Sequence, residues 1–525
     1  RQRQMCRRDR LKAKVGILAV SCLSITALFA CVDKDARSDL NPNLQTDQAQ
    51  NGDFGDQGGG SEQGLNFPVF DDGVLAFPGA EGYGKNVTGA RAGEGREIYH
   101  VTNLNDAGPG SFRDAVSKPW RIIVFDVSGV IKLSSNPIVL KSNQTILGHT
   151  APGDGIVLYN GRVSASGAQN LIVRYLRIRM GAAYPSELDA CGIANGANMI
   201  FDHCSMTWGK DECFSINPDG KGTAPKNITI QNSIIGQGLQ NHSCGGLMQT
   251  DISNGCTIFR NLYIDNKTRN PKVKGLNQFV NNVVYNWGSG AAYNMSGDSQ
   301  GKSETTIENN YFIVGPCHNW QNVAQPDGSI KTEYVPMNPA RPFTGGNGNF
   351  NTYCKGNYYD NNKDGALDGV EITETNWSQY CSGSPVFLEA RSDLHPIIRS
   401  QKSAQEAYEW VVEKVGAYLP VRDEVDKYLM DELISLGRKG TIIQDERKAE
   451  QFPLGGPGTI NAAQKPLDSD NDGMPDAFED AWGLDKYDST DAVKEAKNGY
   501  LNIENYALSL EYPDEYEYEL NKNKQ

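Results

Sequence analysis

The chain has 525 residues, with 64 Asp and Glu against 50 Lys and Arg and a formal charge of −14. That length buries a sizeable core in more than one domain, and 56 glycines suit many tight turns better than long helices. The acidic balance excludes a general nucleic-acid binder, because phosphate contacts need clustered Lys and Arg, so a polyanionic substrate would have to meet local basic side chains or a bound cation.

Residues 1–31 read as an export leader. A basic stretch ending at Lys14 precedes an apolar run over 15–30, which is short for a membrane span. Leu28-Phe29-Ala30-Cys31 resembles a bacterial lipoprotein cleavage box, with Cys31 as the lipidated residue. An uncleaved anchor or an ordinary secretory signal is the alternative, and each of these exports the protein. The lipoprotein reading places it on the outer membrane or cell surface. Residues 32–66 carry almost no large apolar side chain and read as a flexible linker.

Order is expected from Phe67. Turn-rich 76–84 is followed by strand-like segments at 97–101 and 121–127, with a short helix between them capped by Ser111. A phrase then recurs at 170–179, 198–207, 227–235, 255–264, 277–285 and 303–313, its starts 22 to 29 residues apart. Each copy alternates apolar residues, turns a polar corner that is often Asn, and alternates again. Such a period belongs to a solenoid whose coils bury their faces on one another. The fold expected is all-β, a right-handed parallel β-helix over 67–395. A β-sandwich is disfavoured because hairpin dipeptides are scarce between the strands.

The texture changes after His395. Residues 403–415 and 421–436 have helical spacing, with Ser403 as an N-cap, and 396–452 read as a helical segment covering the solenoid. A Gly/Pro stretch at 453–458 leads into an acidic tail over 453–525. Within it, Asp468, Asp470, Asp472, Gly473, Asp476 and Glu479 fit a twelve-residue EF-hand-like calcium loop, against the plainer alternative of a solvated acidic turn. Residues 498–504 look like a worn second copy.

Two further groups could carry chemistry. Asp189 and Asp211 precede short apolar segments in neighbouring coils, and Arg269, Lys272 and Lys274 form a basic cluster around Pro271. An acidic side and a basic side suit an anionic sugar polymer bridged by Ca²⁺, whereas the bland reading of the second cluster is a solvated turn. His203, after Asp202, reads more readily as a corner residue than as a ligand. The eight cysteines beyond the leader permit disulfides, but buried small residues stacked coil on coil are favoured.

These segments resemble the pectate lyases of polysaccharide lyase family 1 over residues 67–436. Phe201-Asp202-His203 is similar to that family's Trp-Ile-Asp-His strand. Residues 211–216 are similar to its Asp-Gly-x-Leu-Asp-Ile strand, and Arg269-Asn-Pro271-Lys-Val-Lys274 to its Arg-x-Pro-x-x-Arg segment. The resemblance implies calcium-assisted β-elimination on de-esterified polygalacturonate. Asp189 and Asp211 would be calcium ligands, Arg269 the base, and Lys274 the stand-in for a second Arg, with Lys272 beside it. Ser215 replaces a carboxylate that also holds calcium in the family. The family's Lys on the 241–247 turn is absent, with His242 the nearest substitute. A pectin lyase and a non-catalytic polysaccharide-binding surface protein are the alternatives. The chain is expected to be a monomer without nucleic-acid partners.

Overall fold

Strands of consecutive coils stack in register, so one inward column runs Tyr99, Ile123, Ile146, Val173, Phe201, Ile230, Ile258, Phe279, Ile307, Cys354. From Ile123 onward these side chains lie in one continuous buried cluster. Burial of each large apolar side chain contributes about 1.5–3 kcal/mol, and no coil collects that contribution without its neighbours. The structure is a computed structural model and describes residues 73–522 except 135, 289–291, 297–300 and 340. The leader, Cys31 and the whole linker lie outside the described residues.

Among the described residues the solenoid has three sheets, of eleven, ten and eight strands. Within them, strands pair parallel with the next coil; the exception is Asn357–Asp360 with Val370–Ile372, which is antiparallel. This is the parallel β-helix expected, right-handed as parallel crossovers are. At the corner between the first two sheets, Asn261, Asn282, Asn310 and Asn357 form a ladder. Each side-chain oxygen accepts the backbone N–H of the coil before, as in Asn261 N–H to Asn282 Oδ1 at 2.9 Å. The residue ahead of each rung sits at positive φ, as at Arg260, Asn281 and Asn309.

Two helices, Ala404–Lys414 and Glu424–Ile434, cover the outer face of the second sheet. Tyr408, Val411, Leu429 and Leu433 pack there on Ile234, Leu262, Val283 and Ile313. Ser403 caps the first through a capping box with Glu406, as the spacing predicts. Asp423 caps the second, and its carboxylate also meets Arg179 at 2.7 Å in full burial.

The acidic tail is laid back along the solenoid. Met474, Phe478, Trp482, Leu501 and Ile503 share a cluster with Ile122, Val124, Leu147, Ile172 and Ile200 on the outer face of the first sheet. Glu504, in the worn copy of the calcium loop, is paired with Arg91 at 2.9 Å. Each of the eight cysteines among the described residues is unpaired and buried, as the stacked-residue reading expects. His203 is a corner residue: its ring stacks on Tyr175 and its Nδ1 lies 3.2 Å from the Gly416 carbonyl oxygen. Nearby Arg174 satisfies both Asp202 and Glu511 at 2.7 Å, which makes that acidic group an ion-pair network.

Candidate functional site

Four consecutive strands of the third sheet, Cys191–Ile193, Phe214–Ile216, Leu247–Gln249 and Lys272–Lys274, are each entered by a turn that carries a polar or charged residue. Asp189 stands before the first, Asp211 and Glu212 before the second, His242 and Cys244 before the third, and Arg269 before the fourth. Single bridges from Glu212 to Cys244 and from Cys244 to Thr268 carry the stacking into these turns. With strands about 4.8 Å apart, eighty residues of sequence contract to about 14 Å of surface.

Asp189, Asp211 and Glu212 each bring one oxygen within 4.8 Å of the others. Asp189 Oδ1 accepts the Glu212 N–H at 3.3 Å, and Arg162 approaches Asp189 from the preceding coil at 3.8 Å. His242 lies 2.9 Å from Asp211, and Arg269 Nη1 is ion-paired with Glu212. Arg269 holds this pose at φ +58°, a left-handed conformation rare for a non-glycine residue. The turns approach closely here: a Cβ on Gly245 would meet the Arg269 carbonyl oxygen at 2.5 Å.

Burial is the largest influence on these carboxyls. It pushes Asp189 up, and it pushes Glu212 up to about 9, reinforced by the hydrogen bond and charge of Asp189. Asp211 goes the other way, because the His242 contact and the charges of His242 and Arg269 outweigh burial. Burial alone would lower the Arg269 guanidinium, but Cys244 and Glu212 beside it more than offset this and raise it. Crowding and burial raise the proton affinity of Asp189 and Glu212, and a divalent cation can take that proton's place among the three carboxylates. An all-oxygen carboxylate set suits Ca²⁺, so the residues present fit the ion.

The structure therefore gathers Asp189, Asp211, His242 and Arg269. Lys272 and Lys274 alternate with inward Val273 on the last of the four strands. Ser215 lies outside the carboxylate cluster, and its hydroxyl accepts the Leu247 N–H at 3.1 Å. Glu212 supplies the third carboxylate instead; the sequence reading passed over it, although it adjoins Asp211. Arg162 was also passed over, lying in an earlier coil with no motif around it.

In the tail, Asp468, Asp470 and Asp472 gather as the loop pattern expects, and Glu479 joins Asp472. Asp476 does not join them. Its oxygens accept the Ser469 N–H and hydroxyl, each at 2.8 Å. Asp491, from a later turn, takes the vacant place beside Asp472 and Glu479.

A family model described as pectate lyase matches residues 78–351. Probable pectate lyase C of Aspergillus fumigatus is 48% identical over 437 residues, covering 83% of this chain and 94% of its own. This chain belongs to the pectate lyase family. Probable pectate lyase C of Aspergillus oryzae is 46% identical over 448 residues, covering 85% of this chain and 96% of its own. The relative from Emericella nidulans is 47% identical over 437 residues, covering 83% and 93%. These pectate lyase relatives are fungal and lend no support to a bacterial lipoprotein form. Among solved structures, that of the thermostable pectate lyase PL 47 is 15% identical, covers 66% of this chain and 98% of its own, and has a TM-score of 0.43.

Proposed function

We propose that the protein is a pectate lyase that cleaves de-esterified polygalacturonate by β-elimination in this cleft. The single observation that carries the reading is the alignment of Asp189, Asp211 and Glu212 against Arg269 across four adjacent coils. Ca²⁺ held by the three carboxylates would draw in a galacturonate carboxylate and acidify the neighbouring C5 proton. Arg269 takes that proton; the electrons of the C5–H bond form the C4–C5 double bond, and the C4–O bond breaks with its electron pair leaving on the glycosidic oxygen, which takes a proton from water. Lys272 and Lys274 bind carboxylates of the polymer on the basic side, and His242 orients Asp211 from the intervening coil. A guanidinium paired with a carboxylate stays charged, so Arg269 can act as a base only once Glu212 ceases to hold it protonated.

Export is supported by the leader pattern over residues 1–31, and lipid attachment at Cys31 by the cleavage box alone; fractionation of a Cys31→Ala variant tests the second. For the chemistry, polygalacturonate with Ca²⁺ should yield ultraviolet-absorbing unsaturated ends, and chelation should abolish them. Arg269→Ala should lower the rate at least a thousandfold with an unchanged melting curve. An active Arg269→Ala protein would move the base elsewhere. Binding of the polymer without unsaturated product would instead favour a non-catalytic binding protein.

A further inference from the structure

The tail holds a second concentration of carboxylates that the cleft chemistry does not use. Asp468, Asp470 and Asp472 bring oxygens within 4.8 Å of one another, and so do Asp472, Glu479 and Asp491. Glu479 is 0% exposed, Asp472 3% and Asp491 4%. Both oxygens of Glu479, both of Asp470, Asp472 Oδ2 and Asp491 Oδ1 are buried with no hydrogen-bond partner. An unpaired buried carboxylate is among the costliest groups a fold can hold, and here several point into one space. Lys465 reaches Asp468 at 3.4 Å but satisfies none of those oxygens. The loop backbone is already shaped for this, with Gly473 at φ +94° and the Asp472 and Gly473 N–H groups turned onto Asp468.

We propose that Asp468, Asp470, Asp472, Glu479 and Asp491 bind a Ca²⁺ that ties together the turns of the tail that cover the solenoid, separately from the catalytic cleft. Oxygen-only ligands from a flexible loop suit Ca²⁺. The ion joins two stretches, 468–479 and the turn at Asp491, whose apolar neighbours Met474, Phe478, Ala492 and Ile503 cover Ile122, Val124 and Ile172 of the first sheet. Gly473 itself lies against this face: a Cβ there would stand 3.3 Å from Val124. The cation removes the repulsion that would otherwise open this cover. This site does not depend on the activity proposed for the cleft.

Full-length protein and a Glu479→Gln/Asp491→Asn double variant are titrated with Ca²⁺ alone, following melting temperature and calorimetric stoichiometry. The native chain should gain roughly 2–3 °C at a hundredfold excess over Kd. The double variant should lose that gain and one bound ion while keeping its lyase rate at saturating Ca²⁺. A Glu212→Gln variant, altered in the cleft, should retain the gain. Tb³⁺ luminescence sensitised by Trp482, three residues beyond Glu479, gives a reading should the double variant not fold: it should be bright in the native chain and dim in Trp482→Phe. A double variant that keeps both the thermal gain and the stoichiometry would overturn the proposal, as would Tb³⁺ emission indifferent to Trp482.

Discussion

Glu212→Gln separates the two tasks the cleft sets its least exposed carboxylate. The side chain is 3% exposed, shares the carboxylate group with Asp189 and Asp211, and grips Arg269. Glutamine keeps the shape and can still accept from Arg269, but it offers a cation no charge. A charge-assisted contact in a partly dry site contributes about 1.5–3 kcal/mol, so the Ca²⁺ concentration for half-maximal rate should rise roughly 10- to 150-fold. Folding should be unharmed, because without the cation burial already favours the neutral form of Glu212, which glutamine copies. The assay is the initial rate of unsaturated product against buffered free Ca²⁺, with melting recorded in chelator. An unchanged Ca²⁺ midpoint would refute the reasoning and leave Glu212 as no more than a tether for Arg269.

Other outcomes follow from the frame around the cleft. Asn282→Ala strands the Asn261 N–H and the Ile258 carbonyl, held at 2.9 Å each, so chemical denaturation should show a loss of about 2–6 kcal/mol; a loss below 1 kcal/mol would mean the ladder is not stabilising. Asp423→Ala leaves the fully buried Arg179 with Asp426 at 3.0 Å as its remaining carboxylate, and should cost about 3–5 kcal/mol, read as an early melt of the covering helices. Burial, the largest cause, lowers His203 to about 4 and His149 to about 3. The unfolded chain then binds more protons below pH 6.5, so stability should fall as pH drops from there toward 4. His203 contributes about 3 kcal/mol to that fall. A His203→Asn protein with an equally steep loss between pH 6.5 and 4 would assign the acid sensitivity to other groups.

The solenoid was legible because its periodicity is carried by bulk apolar residues and corner asparagines, which need no long-range knowledge to be recognised. Phe201, Ile230 and Ile258 occupy equivalent places in their copies and meet in one column. The covering helices were legible for a similar local reason, helical spacing behind an N-cap at Ser403, which the structure completes as a capping box with Glu406. The seat of the tail was not. Its acidic composition marks Asp468 to Glu479 as a cation loop but gives no hint that Met474 and Phe478 would find Val124 and Ile172 three hundred residues away. The exchange of Asp476 for Asp491 has the same origin. Ser469 claims Asp476 locally, and a residue outside the twelve-residue pattern fills the gap.

The cleft failed to read out of the sequence at one point, and the reason is the phase of a strand. Alternation tells which side chains face out only while the strand is regular, since a shift of one residue exchanges the two faces. The resemblance of 211–216 to the family's Asp-Gly-x-Leu-Asp-Ile strand assigns the third carboxylate position to Ser215. In the structure the turn before that strand is irregular: the Cys213 N–H is shared between the Cys244 and Gly245 carbonyls, both at 3.0 Å. That kink turns adjacent Asp211 and Glu212 toward one point, where a regular strand would send neighbours to opposite faces. Arg269, at positive φ in the same kind of turn two coils on, can then reach Glu212. The chemistry therefore sits where the β-helix departs from its repeat, while the repeat sets the spacing between those departures.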